Sequence, residues 1–373
     1  MTDREPRALR PPCEVLFAEE LAALRAIDTD KKPEGWILSP QAVRTFIVGS
    51  NEKPIGRSGT IILRKFYGDD ALIDRCIVTL LGNRGLLLVG EPGTAKSMLS
   101  EFLAAAISGV STCTIQGTAG TTEDQIKYSW NYAMLLAQGP KPEALVPSPL
   151  YTGLKHGLIV RFEEVTRCQP EIQDCLISIM SDKVLHVPEL TGADSAVFAE
   201  RGFNILATAN IRDRGVHEMS SALKRRFNFE TVNPISERKL EIKLVTEQTE
   251  TLLREAGVPV ACPPDVMEVL VSTFQDLRSG ASVDGTVIER PSTVMSTAEA
   301  VAVGFSAGLE AHYFGDGAMD GAHIARQLLG TVFKDNPEDA KKVRQYFDVV
   351  VKARAKKSRA WQSYWNARKC LDR

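Results

Sequence analysis

At 373 residues the chain is too long for one small core and suits two domains with extensions. A net charge of −2 gives no overall attraction to nucleic acid or acidic membranes, and no apolar run approaches the roughly 20 residues that cross a bilayer. Seven scattered cysteines without CxxC spacing argue against a disulfide framework or a zinc site, and Met1 to Arg10 holds no apolar signal core, so a reducing cytoplasm is expected.

Residues 1–63 mix proline, charge and short apolar pieces around one helix, Pro40 to Val48, and read as an N-terminal extension. Across 64–234, short apolar runs alternate with stretches of helical period. Leu86–Val89, Thr112–Gln116, Leu158–Phe162, Asn204–Thr208 and Phe229–Val232 read as five buried strands, with helices at Met98–Ile107 and Pro170–Met180. That alternation predicts an α/β fold, a parallel sheet covered on both sides. Cys168 and Cys175, two turns apart on the second helix, are expected as packing residues, and Trp130 and Tyr132 are expected to pack locally. Beyond Pro234 the strand signals stop. Glu237–Ala256, Asp265–Leu277, Pro291–Leu309, Gly321–Phe333 and Glu338–Ala355 read as helices. The expected division is a core over 64–234, a helical domain over 235–335 and a tail over 336–373.

The strongest local signal is Leu86-Leu-Leu-Val-Gly-Glu-Pro-Gly-Thr-Ala-Lys-Ser97. A buried strand runs into a glycine-rich loop and then an amphipathic helix, the order phosphate binding requires. The loop Gly90, Glu91, Pro92, Gly93, Thr94 and Ala95, through the amides of its non-proline residues, with the helix start at Lys96, Ser97 and Met98, would cradle a polyphosphate. Lys96 would reach the phosphates, and the Ser97 hydroxyl would take a Mg²⁺ position. The strict motif has glycine where Ala95 stands; alanine fits if its φ is negative. A second strand, Leu158-Ile-Val-Arg-Phe-Glu-Glu-Val165, ends in two carboxylates, Glu163 for a metal shell and Glu164 to polarise water. A third, Phe203-Asn-Ile-Leu-Ala-Thr-Ala-Asn210, ends in an amide able to hold phosphate or water. Ser220-Ser-Ala-Leu-Lys-Arg-Arg-Phe227 is a short helix with a basic end, from which an arginine can reach a neighbouring subunit's phosphates.

Taken together, Gly-Glu-Pro-Gly-Thr-Ala-Lys-Ser, Phe-Glu-Glu-Val-Thr-Arg, Ala-Thr-Ala-Asn and Ala-Leu-Lys-Arg-Arg-Phe resemble the MoxR-like branch of the AAA+ P-loop ATPases over about residues 64–310. The resemblance implies a five-stranded αβα core with an all-helical lid, and ATP and Mg²⁺ as cofactors. It also implies hydrolysis within a hexameric homo-oligomer, a chaperone-like role on a protein client, and a von Willebrand factor A domain partner. By this likeness Lys96 and Ser97 contact phosphate and Mg²⁺, Glu163 and Glu164 form Walker B, and Asn210 is the first sensor. Arg226 is the first candidate finger and Arg225 the second. The stretch containing Phe66, Tyr67 and Gly68 would cover the adenine, and Gln116–Gly157 would hold an insert facing the ring pore. Arg290 is the nearest candidate for a second sensor. Glu163 departs from the usual aspartate, which leaves open a nucleotide-gated binding module with slow turnover.

From Lys341 to Arg373 eleven Lys/Arg stand against two Asp, interleaved with Tyr346, Phe347, Trp361, Tyr364 and Trp365. Such a tail can bind single-stranded nucleic acid, as in a nucleic-acid motor or defence NTPase. Alternatively its aromatics dock on the helical domain with the bases solvated, the arrangement favoured here.

Overall fold

The computed structural model describes residues 10–210, 216–332 and 336–371. They form two compact units. One runs to Gly90 and resumes over Ala95–Val232; the other joins Glu91–Thr94 to the residues from Asn233 onward.

The first unit is built on strands β1 (Gly85–Gly90), β2 (Thr114–Gln116), β3 (Ile159–Glu163), β4 (Asn204–Asn210) and β5 (Phe227–Thr231). Their order is β5-β1-β4-β3-β2, and every neighbouring pair is parallel. The two-residue alternation of strand side chains divides them between two cores. Leu86, Leu88, Ile159 and Leu206 share a cluster with Leu99 and Leu103, whereas Leu87, Val89, Val160, Phe162, Ile205 and Ala207 share one with Leu176, Ile179 and Met180. Burial on both faces is why these strands read as continuous apolar runs.

Four helices position the site. In α1 (Pro40–Val48) the Ser39 hydroxyl caps the Ala42 amide, and Pro40 stands where no amide is needed. Asp69 caps α2 (Asp70–Leu81) in the same way. The remaining two are α3 (Lys96–Ser108) and α4 (Pro170–Asp182). Cys168 lies ahead of α4, not on it, and burial pushes its thiol up.

The segment read as an N-terminal extension is a layer of this unit. Cys13, Leu21, Leu24, Leu38, Val43, Phe46 and Ile47 belong to the same cluster as Leu86 and Leu99. Lys65 fastens it: its ammonium bonds the Glu20 carboxylate at 2.5 Å and the Phe46 carbonyl at 2.9 Å, 4.3 Å from the Phe46 ring centroid. The apolar stripe of α1 needed a surface, and the sheet-covering helices supply it.

The expected insert holds an antiparallel pair, Tyr128–Trp130 with Leu145–Pro147, and between them a helix, Tyr132–Gln138, with no buried residue. Trp130 packs against the core as expected; Tyr132, 67% exposed, does not.

The second unit is helical: α5 (Arg238–Glu255), α6 (Pro264–Ser279), α7 (Thr297–Phe314), α8 (Gly321–Val332), α9 (Pro337–Tyr346) and α10 (Arg359–Asn366). The helix expected from Pro291 starts six residues later. Ser296 and Glu299 close a reciprocal capping box there, and the amides of Ser292 and Thr293 bind the Asp339 carboxylate instead of joining a helix. The tail has no core of its own. Val343, Tyr346, Phe347, Val350, Trp361 and Tyr364 are buried in the cluster that holds Val245, Leu270 and Ala307. After Tyr346 the helix widens to a π turn over Phe347–Val351, with Phe347, Val350 and Val351 buried. No helix among the described residues is long and apolar enough to cross a membrane.

Asp339 joins two stretches of this unit. Burial alone would raise its carboxyl, but the hydroxyl and amide of Ser292, the Lys342 charge and the Thr293 amide hold it below its ordinary value of 3.8. A depressed carboxyl stabilises the fold above the unfolded-state value and loses that contribution as pH falls through the folded-state one. Asp339→Asn is therefore expected to cost about 2 kcal/mol near neutrality. In urea titrations its deficit against wild type should shrink steadily below about pH 4; a deficit unchanged at pH 3 would contradict this.

Candidate active site

The site grows from the C-terminal ends of β1, β3 and β4. Parallel register sets Asn210 beside Gly90, while Ala207 pairs with Phe162, so the ends of all three strands meet at one edge. The crevice outside such strand ends is where open α/β sheets bind ligands.

Beyond Gly90 the loop turns through two left-handed residues, Gly93 at φ +76° and Ala95 at φ +66°. The negative φ expected of Ala95 is not found. The turn into α3 demands the conformation in which glycine is usual, and an alanine there costs roughly 1 kcal/mol. Windings of this kind turn successive amides to one side. The Thr94 hydroxyl ties the loop to the Glu91 carbonyl at 2.9 Å. α3 then begins with no side-chain cap and no acidic residue in its first turn, leaving its amides suited to an anion. Lys96 is buried, its ammonium 3.1 Å from the Gly90 carbonyl, whereas Ser97 and Met98 are exposed.

The two acids of β3 are held differently. Glu163 is 5% exposed and accepts four hydrogen bonds. Oε1 takes Ser100 Oγ at 2.6 Å and an Arg161 nitrogen at 2.7 Å. Oε2 takes Ser97 Oγ and Thr208 Oγ1, each at 2.7 Å. Burial would raise its carboxyl, yet these donors and the Arg161 charge together hold it below the ordinary value. It is an anion next to the hydroxyl of the loop serine, the hard oxygen pair that suits Mg²⁺.

Glu164 sits past the strand end at φ +54°, a strained conformation for a side-chain-bearing residue. Its amide donates to Thr208 Oγ1 at 3.0 Å, and its Oε1 accepts the Asn210 amide nitrogen at 2.7 Å. The Asn210 oxygen is buried without a partner among the described residues, an acceptor left for a water. Gly117 belongs to this arrangement. A Cβ there would lie 2.4 Å from the Glu164 carbonyl, so only glycine admits the turn. No motif of the sequence assigns a role to Gly117, Ser100, Arg161 or Thr208, yet all four act on the two acids. The legible signal was polarity: Arg161 and Thr208 are polar residues inside buried strands, on the face of Glu163.

Other expected residues stand elsewhere. Phe66 is 5% exposed and belongs to the core, its ring against the bare backbone of Gly68, while Tyr67 is half-buried. Arg226 is bound within its own chain, to Ser181 Oγ and the Ala222 carbonyl at 2.6 Å each; Arg225 is exposed. In the helical unit Arg290 binds the Ser279 carbonyl at the end of α6.

Residues 85–227 match the AAA domain family (dynein-related subfamily), and residues 239–372 match the YehL-like AAA+ ATPase C-terminal domain. The chain is 49% identical to the uncharacterized protein YehL of Escherichia coli (strain K12), over 99% of both. It is 27% identical to the gas vesicle ATPase GvpN2 of Halobacterium salinarum over 36% of each. NtrX from Brucella abortus in complex with ADP superposes with a TM-score of 0.49 at 13% identity, covering 82% of this chain and 66% of that one.

Proposed function

The chain belongs to the YehL-like AAA+ ATPases of the MoxR-like branch, and from that premise we propose that it hydrolyses ATP within an oligomeric ring to remodel a partner protein. The observation that carries the reading is the shared polar edge, with the Lys96 ammonium at the Gly90 carbonyl, Ser97 on Glu163, and Asn210 on Glu164.

Lys96 and the uncapped start of α3 bind the β and γ phosphates. Ser97 and Glu163 would hold a magnesium ion, which when bound supplies positive charge to those phosphates. Glu164 takes a proton from the attacking water, oriented by the side-chain oxygen of Asn210. Tyr67 and Gly68 are the proposed adenine contacts. An arginine from a neighbouring subunit completes the charge balance. Arg225 takes precedence in that role because Arg226 is engaged by Ser181 and Ala222. A protein client, a von Willebrand factor A domain partner, a hexameric ring and a cytoplasmic setting complete the proposal. Burial of Tyr346, Phe347, Trp361 and Tyr364, with Trp365 half-buried, supports docking of the tail aromatics rather than the stacking surface a nucleic-acid motor would draw from them.

The test is nucleotide titration of the full chain with and without Mg²⁺, alongside turnover at rising protein concentration. Lys96→Ala should weaken ATP binding by about tenfold or more. Turnover per chain should climb with assembly and drop in Arg225→Ala, restored when that variant is mixed with Glu164→Gln. A wild type that takes up no ATP with magnesium would end this reading.

A further inference from the structure

Strand β3 is apolar but for Arg161 and Glu163, and Arg161 lies at its centre, 6% exposed. A guanidinium buried there is tolerated only if its donors are met. They are. Nε donates to Ser100 Oγ at 2.8 Å, Nη1 to the Ser111 carbonyl at 2.8 Å and Thr114 Oγ1 at 3.2 Å. Nη2 donates to Glu163 Oε1 at 2.7 Å and lies 3.3 Å from the Ser97 carbonyl and 3.4 Å from Glu101.

Strand alternation puts Ile159, Arg161 and Glu163 on the face covered by α3, so the arginine reaches along the strand to the carboxylate two residues on. It also touches the main chain of Ser97, whose hydroxyl meets the other carboxylate oxygen. One planar fork therefore spans both members of the cation-holding pair. Ser100 reinforces it, accepting from Nε while donating to the same Oε1.

We propose that Arg161 is a positioning residue that sets the divalent-cation affinity of the Ser97–Glu163 site, by retaining Oε1 with a charged donor while Oε2, bonded by the Ser97 and Thr208 hydroxyls alone, is the oxygen presented to the ion. The proposal rests on the reading of Ser97 and Glu163 as the pair that holds the ion. It also accounts for a glutamate here. The side chain must extend to Ser97 on one oxygen while the other stays within reach of the guanidinium.

The experiment measures Mn²⁺ binding by electron paramagnetic resonance, on the full chain loaded with a non-hydrolysable ATP analogue. Arg161→Met removes the charged donor from Oε1, leaving the Ser100 hydroxyl on it, and should tighten Mn²⁺ by about tenfold, the equivalent of one charge-assisted hydrogen bond no longer competing for the carboxylate. In a Glu163→Asp background, where the shorter acid falls out of the arginine's reach, the same substitution should shift affinity less than about threefold. Equal shifts in the two backgrounds would mean that Arg161 acts only as a distant charge, and would overturn the proposal. So would unchanged Mn²⁺ affinity in a folded Arg161→Met chain that still binds the analogue. Should Arg161→Met not fold, Arg161→Lys, which keeps the charge but loses the fork, carries the same comparison between backgrounds. Wild type that binds neither analogue nor Mn²⁺ removes the functional reading itself, and this proposal with it.

Discussion

Glu164→Gln is expected to leave ATP affinity within about twofold of wild type while hydrolysis slows by about 10²–10⁴-fold. Glutamine keeps the shape of the side chain and an oxygen for the Asn210 amide at 2.7 Å, so the pair and its strained turn persist. What disappears is the proton acceptor. Asn210→Ala should act less severely, since it loosens the acid without removing it. Phosphate release in a single turnover, set beside equilibrium binding of the same preparations, separates affinity from chemistry. Equal release by wild type and Glu164→Gln would show that Glu164 is not the base, and would favour a nucleotide-gated module with little turnover.

The second large effect is on stability and lies in the helical unit. Asp276 of α6 is wholly buried and accepts Arg238 and Arg354, each at 2.7 Å, and the Tyr346 hydroxyl at 3.2 Å. Asp276→Ala strands two largely buried guanidinium groups at once and should cost about 3–5 kcal/mol. For a unit of this size that lowers its melting temperature by about 10 °C. Replacing the three charges together by Leu at 276 and Met at 238 and 354 should recover much of the loss, because a buried ionic cluster is often matched by well-packed apolar groups. Calorimetry on the full chain reads both changes. A shift of only a degree or two for Asp276→Ala would show that water reaches the cluster and the tail is not locked by it.

How far the site was legible follows from what each residue's role depends on. Lys96, Ser97, Glu163, Glu164 and Asn210 were readable because their places relative to a strand end are set within a few residues, and parallel strands bring their C-terminal ends to one edge. Ser100, Thr208 and Gly117 were not, since each acts on Glu163 or Glu164 from a distant position in the chain or through backbone packing, and Arg161, two residues before Glu163 on the same strand, showed only a polarity whose partners come from elsewhere. The helix start at Thr297 is written in the sequence as the Ser296 and Glu299 capping pair, a signal that competes with the proline at 291.

By itself, the sequence determined the five-stranded parallel architecture, the helical unit and the phosphate loop, all of which follow from local period, turn chemistry and strand ends. Tertiary structure alone decided that the stretches from Cys13 to Ile62 and from Val343 to Leu371 contribute to two cores, and that Ala95 takes a left-handed φ. It also decided which of Glu163's oxygens meets the Arg161 charge and which meets hydroxyls alone. The reason is common to all three: an amphipathic stripe, a strained turn or a charged atom shows what must be satisfied, but only packing brings up the partner that satisfies it.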